Sequence, residues 1–265
     1  MQLDIQVVDA FTDSVFKGNS AAVVVLKDWL SDELMQHIAM ENNLSETAFV
    51  MPSDEGVFQI RWFSPITEID FCGHATLASA FVLFSQFPDN KHLVFSAVAV
   101  GKLTVNKMPD GVMQMDFPNR KPEKVLSIPV QLIDGLSIPP INVYKNNQAY
   151  FVLYTSQSDV MSVVYKSEIL KALKPHDVVV TALSDSRHYD FVSRYFWPAN
   201  GGDEDPVTGS IHTGLAPLWA QYLNKNKLIA YQASQRGGIL HCEVREDRVL
   251  ISGTAVLYLE GKITV

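Results

Sequence analysis

Cysteine is scarce in this chain of 265 residues, which contains only Cys72 and Cys242. Two widely separated thiols cannot form the disulfide framework of a small secreted domain or a four-ligand zinc site. The N-terminus has Asp4 where a secretory signal would carry Lys or Arg, and no apolar segment follows it. We therefore expect a protein of the reducing cytoplasm.

Charged residues and long apolar runs are also scarce. Charged residues make up 19% of the chain, below the usual ~25%, whereas hydrophobic residues make up 47%. The apolar runs at 21–26 and 78–84 are much shorter than the ~20 residues that a membrane helix needs. The net charge is −8, and the largest basic cluster is Arg120, Lys121 and Lys124. Neither nucleic acid nor an anionic membrane is therefore expected as a partner.

The sequence lacks the signatures of the common cofactors. It has no Walker loop, no Gly-x-Gly-x-x-Gly after a strand, and no His and Cys cluster with metal-ligand spacing. The acidic run 203–205 lacks EF-hand spacing, and three adjacent carboxylates of an extended chain cannot all face one ion. We expect a protein that uses no metal, nicotinamide, flavin or pyridoxal phosphate.

The length allows one large domain or two modest ones, at a typical size of about 150 residues per domain. A stretch rich in Pro, Lys and Arg at 118–129 is the best boundary. We predict an N-terminal half over 1–118, completed by a strand near 255–265, and a C-terminal half over 119–254. Apolar periodicity and caps predict helices over 31–41, 73–86, 167–173 and 209–223, with short strands between them.

A local repeat indicates that the two halves match. The first copy, Arg61-Trp62-Phe63-Ser64-Pro65, leads through acidic residues to Gly73-His74 and an apolar helix. The second copy, Arg194-Tyr195-Phe196-Trp197-Pro198, leads through acidic residues to Gly209-Ser210 and another apolar helix. Because both copies occur at the same point of a repeated order of elements, we predict two halves of one architecture.

Gly73 and Gly209 each begin a predicted apolar helix. The N–H groups at such a start lack side-chain cover, and the helix dipole favours negative charge there. If a pseudo-twofold axis relates the halves, these two ends can together hold a small molecule that bears a carboxylate. In the alternative interpretation, each glycine only permits close packing or a turn.

His74 and Ser210 follow the two glycines. A helix N-terminus favours the neutral imidazole, which donates a hydrogen bond or carries a proton. Alternatively, backbone groups satisfy His74, and Ser210 is an N-cap. Asp205 precedes Pro206, which biases it toward an extended conformation. Its carboxylate can point at the same ligand or belong to a solvated acidic loop.

Glu46 begins a predicted strand in which alternation places it on the same face as Ala48 and Val50. A carboxylate on an apolar face suits a group that takes and returns a proton near neutral pH. The alternative is a glutamate at the exposed end of an edge strand.

Four co-linear motifs resemble the PhzF-like family of phenazine biosynthesis, within the diaminopimelate epimerase superfold. They are Asp9-Ala10-Phe11 with Gly18-Asn19, Ser45-Glu46-Thr47-Ala48-Phe49, Asp70-Phe71-Cys72-Gly73-His74-Ala75-Thr76, and Asp203-Glu204-Asp205-Pro206-Val207-Thr208-Gly209-Ser210. Ser20 departs from the Pro that usually follows Gly-Asn. The resemblance implies an α+β fold of two matching halves, each a β-barrel-like sheet around a central apolar helix, with the site between them, and a homodimer.

The resemblance also implies a cofactor-independent isomerase that moves a proton on a small amino-acid, hydroxy-acid or cyclic carboxylate. Glu46 matches the catalytic carboxylate, and His74 and Asp205 match groups that assist proton movement. Substrate-binding positions are matched by Asn19, Gly73, Gly209 and Ser210.

Epimerases and racemases of the same superfold use two thiols, one on each face of the substrate. Cys72 matches the first thiol, but Thr208 occupies the second position, and a hydroxyl is too weak an acid to replace a thiol. The residues therefore favour isomerisation by a single carboxylate. The alternatives are a protein of this fold that binds a small carboxylate without converting it, and an amino-acid epimerase or racemase.

Overall fold

The computed structural model describes residues 1–53 and 56–265. The chain divides into two compact units. The N-terminal unit consists of Met1–Asp116 and Ser252–Val265, and the C-terminal unit is Phe117–Ile251. The last strand of the chain thus belongs to the unit that contains the first strand.

The described residues form short strands and a smaller number of helices. Up to residue 118 they are β1 (Gln2–Ala10), β2 (Asn19–Val25), α1 (Asp32–Asn42), β3 (Glu46–Pro52), β4 (Val57–Phe63), β5 (Glu68–Ile69), α2 (Gly73–Gln86), β6 (His92–Ala97), β7 (Gly101–Lys107) and β8 (Met113–Pro118). From there to residue 205 they are β9 (Glu123–Lys124), α3 (Val130–Gly135), β10 (Asn142–Lys145), β11 (Ala149–Leu153), α4 (Gln157–Ser162), α5 (Ser167–Leu170), β12 (Asp177–Leu183), β13 (Phe191–Phe196) and β14 (Glu204–Asp205). The remainder comprises α6 (His212–Leu223), β15 (Lys227–Gln232), β16 (Gly238–Val244), β17 (Arg248–Gly253) and β18 (Ala255–Thr264).

Helix α1 forms where capping and periodicity predict it. The Ser31 hydroxyl accepts a hydrogen bond from the N–H of Leu34 at 3.3 Å, which caps the N-terminus. Asn43 ends the helix in the left-handed conformation. One face, with Met35 and Ile38, is buried, so the helix is amphipathic as predicted.

Helix α2 spans the predicted residues and is buried on almost every side. Of its fourteen residues, only Phe81, Ser85 and Gln86 are not buried. It contacts strands β1, β2, β3, β7 and β18 of its own unit. A helix that is apolar all round must be surrounded by other elements, and the sheet supplies that cover. The start of α2, at Gly73, is thereby held in the interior of the unit.

The two units repeat one order of strand pairing. In the N-terminal unit, β1 and β2 are antiparallel, β2 and β3 parallel, β3 and β4 antiparallel, β4 and β6 parallel, and β6 and β7 antiparallel. In the C-terminal unit, the same order relates β10, β11, β12, β13, β15 and β16. The strands therefore confirm the two matching halves that the local sequence repeat predicts.

The repeated pentapeptides place equivalent ion pairs in the two units. The Arg61 guanidinium donates two hydrogen bonds of 2.7 Å to the Glu68 carboxylate and lies over the Phe63 ring. Arg194 donates two bonds of 2.8 Å to the Glu204 carboxylate in the same way, and it lies over the Phe196 ring. These bidentate pairs join each long strand to the two-residue strand after it, which carries the chain toward the apolar helix.

Each unit buries its own set of apolar side chains. Ile5, Val24 and Phe49 belong to a cluster in the N-terminal unit, whereas Val152 and Val180 belong to one in the C-terminal unit. Among the described residues, no helix combines the length and the apolar character needed to cross a membrane.

Several local predictions were wrong. The helix predicted over 209–223 begins at His212, because residues 209–211 form a turn with hydrogen bonds between residues three apart, such as His212 N to Gly209 O at 3.2 Å. The helix predicted over 167–173 divides into α5 and a 3₁₀ turn at Lys171–Leu173. The short elements α3, α4, β5, β9 and β14 were not predicted, since segments this short have too few residues to show a period.

Candidate active site

The N-terminal unit brings Glu46 and His74 together. Glu46 is the first residue of β3, and His74 is the second residue of α2. Nε2 of His74 lies 2.9 Å from Oε2 of Glu46, and their side chains are 6% and 13% exposed. Oε2 of Glu46 is buried, yet it accepts no aligned hydrogen bond from any described residue. The contact with His74 thus places the carboxylate, which can still accept further hydrogen bonds.

Cys72 lies on the other side of the imidazole. Its Sγ is 3.4 Å from Nδ1 of His74, and it occupies the N-cap position of α2. Burial raises the pKa of the Cys72 thiol to about 11, and the Glu46 charge adds to this effect. The thiol therefore keeps its proton at neutral pH and is a poor nucleophile or base.

Asn19 joins the same cluster from β2. Its Nδ2 lies 3.2 Å from Nδ1 of His74, and its side chain is fully buried. The preceding loop is anchored by Asp9, whose carboxylate accepts hydrogen bonds from the Ser20 hydroxyl and, at 2.9 Å, from the N–H of Phe16. The family that the motifs resemble usually has Pro at this position. Ser20 thus donates a hydrogen bond to Asp9 that proline could not make.

The surroundings of His74 in the folded unit act against the neutral form that its place at a helix start predicts. Burial lowers the pKa of the imidazole, but Cys72 and Glu46 favour the protonated ring, and the net pKa lies well above the usual value. Because the Cys72 thiol is protonated at neutral pH, the part of this increase that applies there is the part due to the Glu46 carboxylate. The sequence could not show this, since β3 and α2 meet only in the folded unit.

The raised pKa of His74 predicts how stability depends on pH. A histidine whose folded-state pKa is raised contributes stability that is complete below its unfolded value of 6.5 and is lost as the pH rises through the folded value. We expect the midpoint of thermal unfolding to fall with increasing pH above 6.5 more steeply in the wild type than in His74→Asn. If the midpoints of thermal unfolding of the two proteins change equally between pH 6 and 10, His74 does not form a stabilising ion pair with Glu46.

Glu46, Cys72 and His74 are also the described residues that could hold a metal ion. Their donor atoms all lie within 4.8 Å of one another, and Cys, His and Glu are ligands that zinc accepts. Metal binding there would have to displace the thiol proton and break the contact between His74 and Glu46. The absence of a metal requirement stays a prediction.

In the C-terminal unit, the acidic run does not form one cluster. Asp203 accepts a hydrogen bond from Ser167 at 2.9 Å, Glu204 pairs with Arg194, and Asp205 accepts one from the Thr208 hydroxyl. The three carboxylates thus have three different partners. The alternative of a solvated acidic loop was wrong for Glu204 and Asp205, which are half-buried on β14.

Thr208 and Ser210 are held by glutamine side chains. The N–H of Thr208 donates to Oε1 of Gln232 at 2.9 Å, and Nε2 of Gln232 donates to the Asp205 carbonyl at 2.8 Å. The Ser210 hydroxyl accepts from Nε2 of Gln148 at 2.9 Å. The alternative of Ser210 as an N-cap was wrong, because Ile211 occupies that position and Ser210 lies in the preceding turn.

Comparison with known proteins shows the family of the whole chain. A family model described as phenazine biosynthesis-like protein matches residues 8–261. The chain belongs to this family. It is 46% identical over 263 residues to an uncharacterized isomerase of Pseudomonas aeruginosa, and the alignment covers 99% of each chain. The crystal structure of a PhzF-family phenazine biosynthesis protein from Enterococcus faecalis is 43% identical, covers 100% of each chain and gives a TM-score of 0.94. As its relatives indicate, this member of the family is an isomerase.

A more distant likeness concerns the fold alone. A hydroxyproline epimerase from Agrobacterium vitis is 10% identical and gives a TM-score of 0.63, with 99% of this chain and 92% of that chain covered. The predicted α+β, epimerase-like fold class is confirmed by this structure together with the closer one.

The sequence did not single out Asp177, Tyr195 and Gln148, which are connected to Ser210 in the structure. Asp177 is 7% exposed and accepts a hydrogen bond from the Tyr195 hydroxyl at 2.6 Å. Nε2 of Gln148 lies 3.3 Å from the same hydroxyl oxygen and also reaches Ser210. Tyr195 lies inside the repeated pentapeptide, so a search around that repeat was the available signal.

Proposed function

We propose that this isomerase moves a proton between two carbons of a small carboxylate-bearing substrate without a cofactor, with Glu46 as the single acid-base group. In this mechanism, the Glu46 carboxylate takes a proton from one carbon and forms an O–H bond. The electron pair of the broken C–H bond forms a new double bond to the neighbouring carbon, and the π pair of the existing double bond moves to the far carbon. The same carboxyl group then returns a proton to the far end of that system, which leaves Glu46 ionised and the substrate isomerised.

The observation that carries the proposal is the Glu46 and His74 pair. Oε2 of Glu46 is buried against Nε2 of His74 at 2.9 Å, whereas no hydrogen bond from a described residue is recorded at Oε1, the oxygen that can take a proton from a ligand. The ring 2.9 Å away, when protonated, also stabilises negative charge that develops on the substrate. Asn19 lies against the opposite ring nitrogen, and a protonated ring can donate from Nδ1 to the amide of Asn19 when the amide oxygen is on that side.

The protonated thiol of Cys72 and the threonine at position 208 do not favour an epimerase mechanism. Cys72 has a pKa of about 11 and lacks a counterpart, because Thr208 occupies the matching position. The Thr208 hydroxyl donates to Asp205, so its hydrogen is already engaged. Inversion of a stereocentre needs groups on both faces, whereas a shift of a double bond along one face needs a single carboxyl group. By resemblance, Gly73, Gly209, Asp205 and Ser210 bind or orient the substrate, and these roles stay predictions.

Isotope exchange tests this proposal even though the natural substrate is not identified. We expect that incubation in D₂O with a panel of amino-, hydroxy- and cyclic unsaturated carboxylates yields a product with a shifted double bond and deuterium at the new C–H position. Incorporation should be below one deuterium per turnover if Glu46 returns the proton before it exchanges with solvent. Proton NMR and mass spectrometry measure both quantities.

Two outcomes would contradict the proposal. Deuterium at an α-carbon with inversion of configuration would indicate an epimerase, in which a second group acts on the opposite face. Binding of a panel member with no rearrangement and no exchange at any C–H would indicate a protein that only binds carboxylates. Denatured protein serves as the control for uncatalysed exchange.

A further inference from the structure

Asp177 occupies in the C-terminal unit the position that Glu46 occupies in the N-terminal unit. Glu46 begins β3 and pairs with Ala21 in the parallel neighbour, and Asp177 begins β12 and pairs with Ala149 in its parallel neighbour. Three residues further along, Phe49 is opposite Arg61, and Val180 is opposite Arg194. The repeated architecture thus places a second buried carboxylate at an equivalent register.

A chain of hydrogen bonds leads from Asp177 to Ser210. The Tyr195 hydroxyl donates to Oδ2 of Asp177 at 2.6 Å, and Nδ2 of Asn200 donates to Oδ1 at 2.8 Å. Nε2 of Gln148 lies 3.3 Å from the Tyr195 oxygen and 2.9 Å from the Ser210 oxygen. The backbone of Gln148 is itself held by Asn146, whose Oδ1 accepts from the Gln148 N–H at 2.8 Å.

The hydrogen bond from Tyr195 to Asp177 determines which group donates in each of the other hydrogen bonds that lead to Ser210. A tyrosine hydroxyl has a single hydrogen, and in Tyr195 it is donated to Asp177. The Tyr195 oxygen can therefore only accept from Gln148, which requires the NH₂ group of Gln148 on that side. The same NH₂ group donates to Ser210, so the Ser210 oxygen accepts, and its hydrogen is available to donate to a ligand. Among the described residues, no acceptor is recorded for that hydrogen.

We propose that Asp177, Tyr195 and Gln148 are positioning residues that set the Ser210 hydroxyl as a donor toward a carboxylate oxygen of the substrate. This inference rests on the proposed function in assigning Ser210 to the substrate, but the chain of bonds itself does not depend on that role. The three residues act through Ser210 and need not touch the substrate.

The charge of Asp177 sets the direction of the hydrogen bonds that lead to Ser210. Burial raises the pKa of Asp177 to about 6, against the opposing effect of the bonds from Tyr195 and Asn200. The other titratable groups recorded against Asp177 are Tyr195 on β13 and Asp205 on β14. Once Asp177 is protonated, it can donate to Tyr195, Tyr195 can donate to Gln148, and the amide can turn its oxygen toward Ser210. Ser210 then donates to Gln148 instead of to a ligand.

NMR of the isolated protein tests this coupling without a substrate. We expect the side-chain NH₂ signals of Gln148 and the carboxyl carbon of Asp177 to change with pH at one shared midpoint near 6. In Asp177→Asn, the change at Gln148 should disappear. In Tyr195→Phe, Asp177 should still titrate, with a higher midpoint because a bond to its carboxylate is lost, and Gln148 should no longer follow it.

A matched control removes a hydroxyl elsewhere in the same unit. The Tyr144 hydroxyl lies 2.7 Å from the Tyr222 hydroxyl, apart from the chain of bonds. Tyr144→Phe should therefore leave both titrations unchanged. The proposal is overturned if Gln148 does not titrate with Asp177 in the wild type, a measurement that needs no variant. It is also overturned if Gln148 still follows the pH in Tyr195→Phe.

A kinetic measurement connects the chain to the reaction. With any substrate that the isotope assay identifies, Tyr195→Phe should raise KM roughly 3- to 10-fold, as expected for one weakened hydrogen bond, with a much smaller change in kcat. An unchanged KM would overturn the role of the chain in binding. A protein that exchanges no proton would contradict the proposed function, whereas the NMR result would still decide whether Asp177 orients Ser210.

Discussion

Glu46→Gln should reduce the rate of proton transfer by about 10² to 10⁴, the usual contribution of a general acid-base group. The amide has nearly the shape of the carboxyl group, so β3 and its contact with α2 should keep their geometry. It cannot take a proton at neutral pH, and it removes the negative charge 2.9 Å from His74. Binding of the substrate should therefore survive while turnover is lost. The measurement is the rate of isotope exchange at saturating substrate, together with the dissociation constant.

Cys72→Ala is the matched control for this variant, because Cys72 belongs to the same buried cluster. With a pKa of about 11, roughly one Cys72 side chain in 10⁴ is a thiolate at pH 7, so its removal should cost less than about tenfold in rate. Equal losses in the two variants, or a Glu46→Gln protein as fast as the wild type, would refute the carboxylate mechanism. The reaction would then have to proceed through the thiol.

Gly18→Ala should destabilise the N-terminal unit by about 3 kcal/mol or more. Gly18 has a φ of +64°, a conformation that costs an L-residue about 1 to 2 kcal/mol. In addition, an added Cβ would overlap the carbonyl oxygen of Ala10 and lie 2.8 Å from Cγ2 of Thr12, and a backbone oxygen cannot move aside cheaply. Urea unfolding of both proteins measures the difference in free energy.

Gly101→Ala separates the two causes. Gly101 has a φ of +74°, but an added Cβ would meet no atom within 4 Å. Its cost should therefore be that of the backbone conformation alone, about 1 to 2 kcal/mol. If the two variants lose equal stability, the overlap with Ala10 is not what requires glycine at position 18. Because Asn19 follows Gly18 and contacts His74 at 3.2 Å, Gly18→Ala should also disturb the contact between Asn19 and His74.

Much of the fold could be predicted because it depends on patterns that are local in the sequence. Helix α1 has a capping serine and an apolar stripe, and α2 is apolar on all sides, so both were located to within one residue. The repeated pentapeptides predicted matching halves, and equivalent ion pairs at Arg61 and Arg194 confirm them. The start of α6 was misplaced, since Gly209 and Ser210 begin a turn whose local sequence resembles a helix start.

The candidate site was predictable only as a set of residue types. Family motifs selected Glu46, His74 and Asn19, and the structure brings these three together. Asp177 was missed because it lies outside the motifs, and its equivalence to Glu46 follows from strand register. Register relates residues through hydrogen bonds between strands, and loops of different length hide that relation in the sequence.

By itself, the sequence determined the family, the class of fold, the central helix at 73–86 and the carboxylate at position 46 as a candidate acid-base residue. Only the tertiary structure decided the directions in which the pKa values of His74 and Cys72 shift. Both depend on how deeply the groups are buried and on the 2.9 Å contact between an imidazole on α2 and a carboxylate on β3. Electrostatic energy depends on distance and on exclusion of water, and neither quantity exists until the strands and the helix pack together.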